Sequence, residues 1–112
     1  MGGEYMKTED LKEIGVRIAE RRKELKLTQE QTAERMNVSI QMISNIERGN
    51  KAIKIENLLK LCDILKTSTD YILTGKRTDS DFNNLANKLS QLTASDYQMI
   101  EMLVDYRLHE NQ

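Results

Sequence analysis

Proline and tryptophan are absent from this sequence of 112 residues, and cysteine occurs once, as Cys62. Because proline is the residue that most strongly breaks helices, and because Leu, Glu, Lys and Gln are plentiful, the composition predicts an all-α protein. A single cysteine excludes a disulfide within the chain and favours a reducing, cytoplasmic location. No apolar run is longer than three residues. We therefore expect neither a membrane-spanning helix of about 20 residues nor a secretory signal with its apolar stretch of about 7–15 residues.

The net charge is −1, yet the charges are unevenly distributed along the chain. Residues 17–54 contain nine Lys and Arg side chains against five Glu, whereas residues 76–112 contain four basic side chains against six acidic ones. A basic segment in a nearly neutral protein favours a polyanionic partner on one face. The alternative interpretation is a helix surface that is simply solvated.

Apolar residues recur at three- and four-residue spacings in seven segments, which predicts seven helices. Five of these segments lie within residues 11–75, which we predict to form one domain, with Asp10 or Thr8 as the first helix cap. Residues 76–81 lack apolar side chains and are typical of a linker. Residues 82–109 then predict a pair of C-terminal helices. Further helix ends are indicated by capping and turn residues, namely Thr28 with Gln31, Asn37, Ser39, Gly49 and Gly75.

Residues 28–48 predict two short helices joined by a turn of a few residues. Their inward apolar positions are Ala33, Val38, Ile43 and Ile46, and the small Ala33 allows the helices to pack closely. The outer face of the second helix carries amide and hydroxyl side chains, lacks carboxylates, and is followed by basic residues. These positions are Ser39, Ile40, Gln41, Met42, Ser44 and Asn45, flanked by Arg48 and Lys51. Amides and hydroxyls can hydrogen-bond base edges in a DNA major groove, and phosphate would repel carboxylates there.

Over residues 14–75 the sequence resembles the lambda-repressor-like helix-turn-helix family, of the Cro and Xre type. The resemblance rests on the joint spacing of Ile14-Gly15-Val16-Arg17-Ile18, Leu27-Thr28-Gln29-Glu30, the segment from Ile43 to Gly49, and the segment from Asp70 to Gly75. It implies a five-helix DNA-binding domain that acts in transcriptional control, usually as a dimer. It also implies phosphate contact at Gln29 and base contact at Ile40, Gln41, Ser44 and Asn45.

The sequence departs from that family at three places. Asn37 stands in the turn where the family most often has glycine, and the loop Ala52-Ile53-Lys54 lacks the common proline. Ile40 stands where some members have glutamine. Since isoleucine cannot hydrogen-bond a base, we expect an apolar contact there, for example with a thymine methyl group. The base preference of family members therefore does not transfer to this chain.

Arg22 lies on the apolar face of the first predicted helix, four residues after Ile18. Arginine is rarely buried unless it is paired. The family resemblance pairs it with Glu47 in a partly buried ion pair that joins the first helix to the third. The alternative is an Arg22 side chain that extends along the helix surface to solvent.

The last predicted helix carries two apolar stripes, which is more than a surface helix requires. The first stripe consists of Tyr97, Ile100, Val104 and Leu108, and the second of Met99, Met102, Leu103 and Tyr106. We expect the first stripe to pack within the chain and the second to form a homodimer interface. The alternative is that the sixth helix covers the excess apolar surface.

Two side chains are weak candidates for chemistry. Cys62 lies on the apolar face of the fourth predicted helix, and His109 is the sole histidine. Neither has a partner at a spacing typical of catalysis or metal binding, so we predict that the protein is not an enzyme and has no cofactor or metal site.

The sequence as a whole predicts a cytoplasmic regulator that binds double-stranded DNA sequence-specifically, with no membrane partner and no evident small-molecule ligand. As a homodimer on a palindromic operator it would act as a repressor by occupying the site. The alternative is an antitoxin or another protein-interaction module with the same fold.

Overall fold

A computed structural model of the protein describes residues 8–110, which contain α-helices and no strand. The helices are α1 (Thr8–Glu24), α2 (Gln29–Met36), α3 (Ile40–Glu47), α4 (Ile55–Leu65), α5 (Thr69–Thr74), α6 (Asp79–Leu89) and α7 (Ala94–Glu110). They form two compact units, one ending at Arg77 and the other beginning at Thr78. The prediction of an all-α fold is confirmed for these residues.

All five helices of the first unit contribute to one apolar core. The buried side chains are Ile14, Ile18, Ala33, Met36, Ile43, Ile46, Leu58, Leu61, Cys62, Leu65 and Ile72. Val38, in the turn between α2 and α3, is partly buried against them. The inward positions predicted for the two short helices are therefore confirmed, because apolar residues at helical spacing face the core.

Local sequence signals account for most helix ends in this unit. Thr28 and Gln31 form a capping box at the start of α2: the Thr28 Oγ1 atom accepts the Gln31 N–H at 2.9 Å, and the Gln31 Oε1 atom accepts the Thr28 N–H at 2.9 Å. Left-handed backbone angles follow α2, α3 and α5 at Asn37, Gly49 and Gly75. Such residues let the chain leave a helix sharply while its last carbonyl groups remain hydrogen-bonded.

One predicted boundary is wrong, and another lies at the limit of the described residues. Helix α1 is described from Thr8 onward, so the two predicted caps, Thr8 and Asp10, both lie within its first turn. The predicted linker 76–81 is too long, because Thr78 and Asp81 form a second capping box that starts α6 at Asp79. The Asp81 carboxylate accepts the Thr78 N–H at 2.9 Å. Apolar spacing does not reveal this helix start, since the first turn of α6 is polar.

Three arginines of the basic segment are used within the fold. The Arg17 Nε atom donates to the Ile72 carbonyl oxygen at 2.8 Å, and the Arg21 Nε atom donates to that of Leu65 at 2.8 Å. Both bonds satisfy carbonyl groups that helices α5 and α4 leave unpaired at their ends. Arg22 is buried and paired. The charge count therefore overstates the positive charge that this unit presents to a polyanion.

Helices α1 and α3 approach each other closely at Gly15, which is buried. A Cβ atom at this position would lie 2.6 Å from the carbonyl oxygen of Ile46 and closer still to that of Glu47. Both neighbours are backbone atoms that cannot rotate away, so the approach requires glycine. This contact, together with the core, sets the position of α3 relative to α1.

In the second unit, α6 and α7 do not form a buried core within the described residues 78–110. No residue of either helix is buried. The first apolar stripe of α7 is between 41% and 58% exposed and the second between 56% and 70%. The first stripe is thus partly covered and its packing within the chain stays a prediction, whereas α6 leaves the second stripe largely exposed. Of the helices within residues 8–110, none combines the length and the apolar character that a membrane span needs.

Candidate nucleic-acid interface

Helices α2 and α3 form a helix-turn-helix with a turn of three residues, 37–39. The Val38 N–H donates to the Ala33 carbonyl oxygen at 3.0 Å, which closes the end of α2. Ile43 and Ile46 anchor the inner face of α3 in the core. The opposite face of α3 is thereby held toward solvent by a rigid support, which is the arrangement that major-groove recognition requires.

The outer face of α3 contains most of the positions predicted from the sequence. Ile40, Gln41, Arg48 and Lys51 are exposed, and Ser44 and Asn45 are half-buried. The prediction that Met42 lies on the outer face is wrong. Met42 is partly buried against the core, and its Sδ atom accepts a hydrogen bond from the Asn57 Nδ2 atom at 3.9 Å. The reason is that Met42 lies on the side of α3 that faces α4.

Ser39 has a structural role in addition to the predicted one. Its Oγ atom accepts the Met42 N–H at 3.1 Å and so caps α3. A capping hydroxyl still carries its own hydrogen, which it can donate to a phosphate oxygen.

Three side chains on the outer face are linked through one oxygen atom. The Gln41 Nε2 atom donates to the Asn45 Oδ1 atom at 3.2 Å, and the Arg48 Nη2 atom donates to the same atom at 2.9 Å. Gln41 keeps its carbonyl oxygen and a second N–H, the acceptor and donor that match an adenine edge. The two bonds join all three side chains on the exposed face of α3.

The predicted ion pair between Arg22 and Glu47 is present beneath this surface. The Arg22 Nε atom donates to Glu47 Oε2 at 2.7 Å, and the Arg22 Nη2 atom donates to Glu47 Oε1 at 3.1 Å. The two side chains are 10% and 6% exposed, so the alternative of a solvent-directed Arg22 is wrong. The Arg22 Nη1 atom also donates to the Leu27 carbonyl oxygen at 2.7 Å. One guanidinium group therefore joins α1, the loop before α2, and α3.

Gln29, the predicted phosphate contact, belongs to the same network. Its Nε2 atom donates to the Glu47 Oε1 atom at 2.9 Å, and the side chain is half-buried. No local sequence signal indicates this bond. The two residues are 18 positions apart, and helical spacing says nothing about contacts between separate helices.

The candidate residues for chemistry do not assemble into a reactive site. Burial raises the pKa of the Cys62 thiol, which keeps it protonated and unreactive at neutral pH. Within residues 8–110 no group of three or more His, Cys, Asp or Glu side chains is placed to hold a metal ion. The predicted dimer residues Met99, Met102, Leu103 and Tyr106 all lie exposed on α7.

Residues 18–72 match the protein family described as Helix-turn-helix, the segment in which α2 and α3 lie. The chain is 41% identical to the P22 c2 repressor protein, solved in complex with a synthetic operator; the match covers 56% of this chain and 96% of that one, with a TM-score of 0.55. The chain belongs to the Cro/C1-type helix-turn-helix family. The family expected from the sequence is thereby confirmed.

Two further comparisons place this family member among known proteins. The chain is 33% identical over 75 residues to the HTH-type transcriptional regulator ImmR of Bacillus subtilis (strain 168). The aligned segment covers 63% of this chain and 59% of that regulator. The chain thus spans 59% of the length of that relative. It also matches a chain of the SinR protein/SinI protein complex with 28% identity and a TM-score of 0.57, over 88% of this chain and 99% of that one.

Proposed function

We propose that the protein is a transcriptional regulator that binds double-stranded DNA sequence-specifically, with α3 in the major groove. The observation that carries the proposal is the outer face of α3, which is supported by the core, rich in amide and hydroxyl groups, and free of carboxylates from Ser39 to Asn45. The likeness to a repressor solved on an operator supports it.

The proposed roles follow from the position of each side chain. Gln41 and Asn45 read base edges by hydrogen bonds, Ser44 bonds either kind of base, and Ile40 contacts a thymine methyl group. Arg48 and Lys51 bind phosphates by charge, and Ser39 and Gln29 bind them by hydrogen bonds. Phosphate contacts give affinity without sequence preference, whereas base contacts give the preference.

The test begins with selection of bound sequences from random duplexes, followed by anisotropy titrations on the selected and a scrambled duplex. Gln41→Ala should cost about 1–3 kcal/mol on the selected duplex and relax the preference at one base pair. Lys51→Ala should weaken binding to both duplexes and flatten the dependence of affinity on salt. Lys60→Ala, on the exposed side of α4, removes the same charge elsewhere and serves as the control. Equal losses on both duplexes for Gln41→Ala would contradict base reading by α3.

We further propose that the regulator acts as a homodimer paired through α7 and represses by occupying a palindromic operator. One recognition helix covers few base pairs, and a symmetric dimer reads two half-sites about 34–36 Å apart. Complete burial of an apolar side chain stabilises an interface by about 1.5–3 kcal/mol. The four residues of the second stripe, doubled by symmetry and already partly covered, would contribute about 8–15 kcal/mol, which is comparable with an association cost of about 4–15 kcal/mol.

The dimer is tested by sedimentation of the full chain at micromolar concentration. Met102→Glu places a charge in the proposed interface and should weaken dimerisation by about tenfold or more. Gln98→Glu adds the same charge on the polar side of α7, beside Glu101 and Asp105, and should leave the dimer unchanged. A wild-type chain that stays monomeric at high micromolar concentration would contradict the dimer. In that case the exposed stripes favour contact with a different protein, as the alternative function requires.

A further inference from the structure

The Glu47 carboxylate accepts three hydrogen bonds from two side chains. Two come from the Arg22 guanidinium, at 2.7 and 3.1 Å, and the third comes from the Gln29 Nε2 atom at 2.9 Å. The two Oε1 bonds, from Arg22 Nη2 and Gln29 Nε2, meet on one oxygen atom. Glu47 thus links the buried charge of α1 to a side chain at the first position of α2.

This contact fixes which way the Gln29 amide faces. An amide nitrogen carries two hydrogens, and the bond to Glu47 uses one of them. The second hydrogen is the group that can donate to a phosphate oxygen, because the amide carbonyl and the phosphate are both acceptors. A glutamine held in place before binding also avoids the entropy cost of ordering its side chain on the DNA.

We propose that Glu47 is a positioning residue for DNA binding, which holds the Gln29 amide so that its second N–H meets the phosphate backbone. Arg22 acts one step further away: its two bonds neutralise a carboxylate that would otherwise repel phosphate. The inference rests on the proposed function, since it concerns the phosphate contact of that same surface. The ion pair would then contribute to the affinity for DNA as well as to the stability of the fold.

The experiment is a thermodynamic cycle measured by anisotropy on the selected duplex with the full chain. The first background is wild type, and the second is the double variant Arg22→Met/Glu47→Leu, which replaces the pair by apolar side chains of similar size. Such replacements commonly preserve folding. In the wild-type background Gln29→Ala should weaken binding by about tenfold for each subunit, as expected for a hydrogen bond to a charged group. In the second background the loss from Gln29→Ala should shrink to about threefold or less, because the amide is no longer held.

Two controls separate positioning from a general disturbance of the fold. Lys51→Ala lies outside the network and should cost the same factor in both backgrounds. The salt dependence provides a second readout: Gln29→Ala should leave its slope unchanged, since an uncharged side chain releases no counterion, whereas Lys51→Ala should reduce it. A merely structural role of Glu47 predicts no difference between the Gln29→Ala losses in the two backgrounds.

Equal losses in the two backgrounds would overturn the inference and leave the proposed function intact. If the wild-type chain binds no duplex after selection, the proposed function fails, and the inference fails with it. Should Arg22→Met/Glu47→Leu not fold, Glu47→Asp takes its place in the same cycle. That variant keeps the charge but draws the carboxylate back by one methylene group from Gln29. A smaller loss from Gln29→Ala in the Glu47→Asp background than in wild type supports positioning, and an equal loss contradicts it.

Discussion

Removal of either member of the Arg22–Glu47 pair should strongly destabilise the first unit, because the remaining charge is left in the protein interior. Arg22 would lose both bonds to the carboxylate, at 2.7 and 3.1 Å, and the Glu47 side chain is only 6% exposed. Breaking a buried pair in this way costs about 3–5 kcal/mol. A unit of about 70 residues has a total stability of roughly 3.5–10 kcal/mol, at about 0.05–0.15 kcal/mol per residue. Each single alanine variant should therefore lose between a third and all of the free energy of unfolding.

The assay is urea unfolding followed by far-ultraviolet circular dichroism, since the chain has no tryptophan. The double variant Arg22→Ala/Glu47→Ala should be less destabilised than the sum of the two single variants, by about 2 kcal/mol. The exposed pair Arg107–Glu110, with N···O of 3.3 Å and side chains 63% and 50% exposed, is the matched control. Its cycle should give a coupling of about 0.5 kcal/mol or less. Additive losses at Arg22 and Glu47, within about 0.5 kcal/mol, would refute the reasoning.

Two further predictions concern the packing of the first unit. Gly15→Ala should lower the stability of the first unit by about 1–3 kcal/mol through overpacking against α3, although alanine is the better helix former. The midpoint of urea unfolding measures this loss. Glu13→Ala, at an exposed position of the same helix, is the control and should not show it. Because burial raises the pKa of Cys62, the folded state keeps its proton where the unfolded state loses it, so this residue's share of stability is present at neutral pH and declines above about pH 9. The free energy of unfolding should fall less steeply between pH 8 and pH 10 in Cys62→Ala than in wild type, and identical slopes would contradict the assignment.

The fold was largely predictable because its signals are local. Thr28 and Gln31 form their capping box within a single helical turn, and Asn37 adopts the left-handed angle expected of it. The core faces of α3 and α4 follow from apolar spacing alone. The start of α6 was not predicted, because its capping box precedes a polar turn in which apolar residues do not recur at helical spacing.

The exposure of the candidate site residues was predictable, but the hydrogen bonds among them were not. The positions facing out from α3 follow from the positions that must face in, and only Met42 was assigned to the wrong side. The bond between Gln29 and Glu47 has no local signature, because its partners lie on different helices.

Contacts between residues close in the chain thus account for the seven helices of residues 8–110, the capping residues and the identity of the buried side chains. Contacts between distant residues account for the remainder. Arg17 and Arg21 close the ends of α5 and α4 instead of facing a polyanion, and Gly15 allows α1 to lie against the backbone of α3. The physical reason is that a helix sets the direction of each side chain about its own axis, whereas the packing of one helix on another decides which groups that side chain meets.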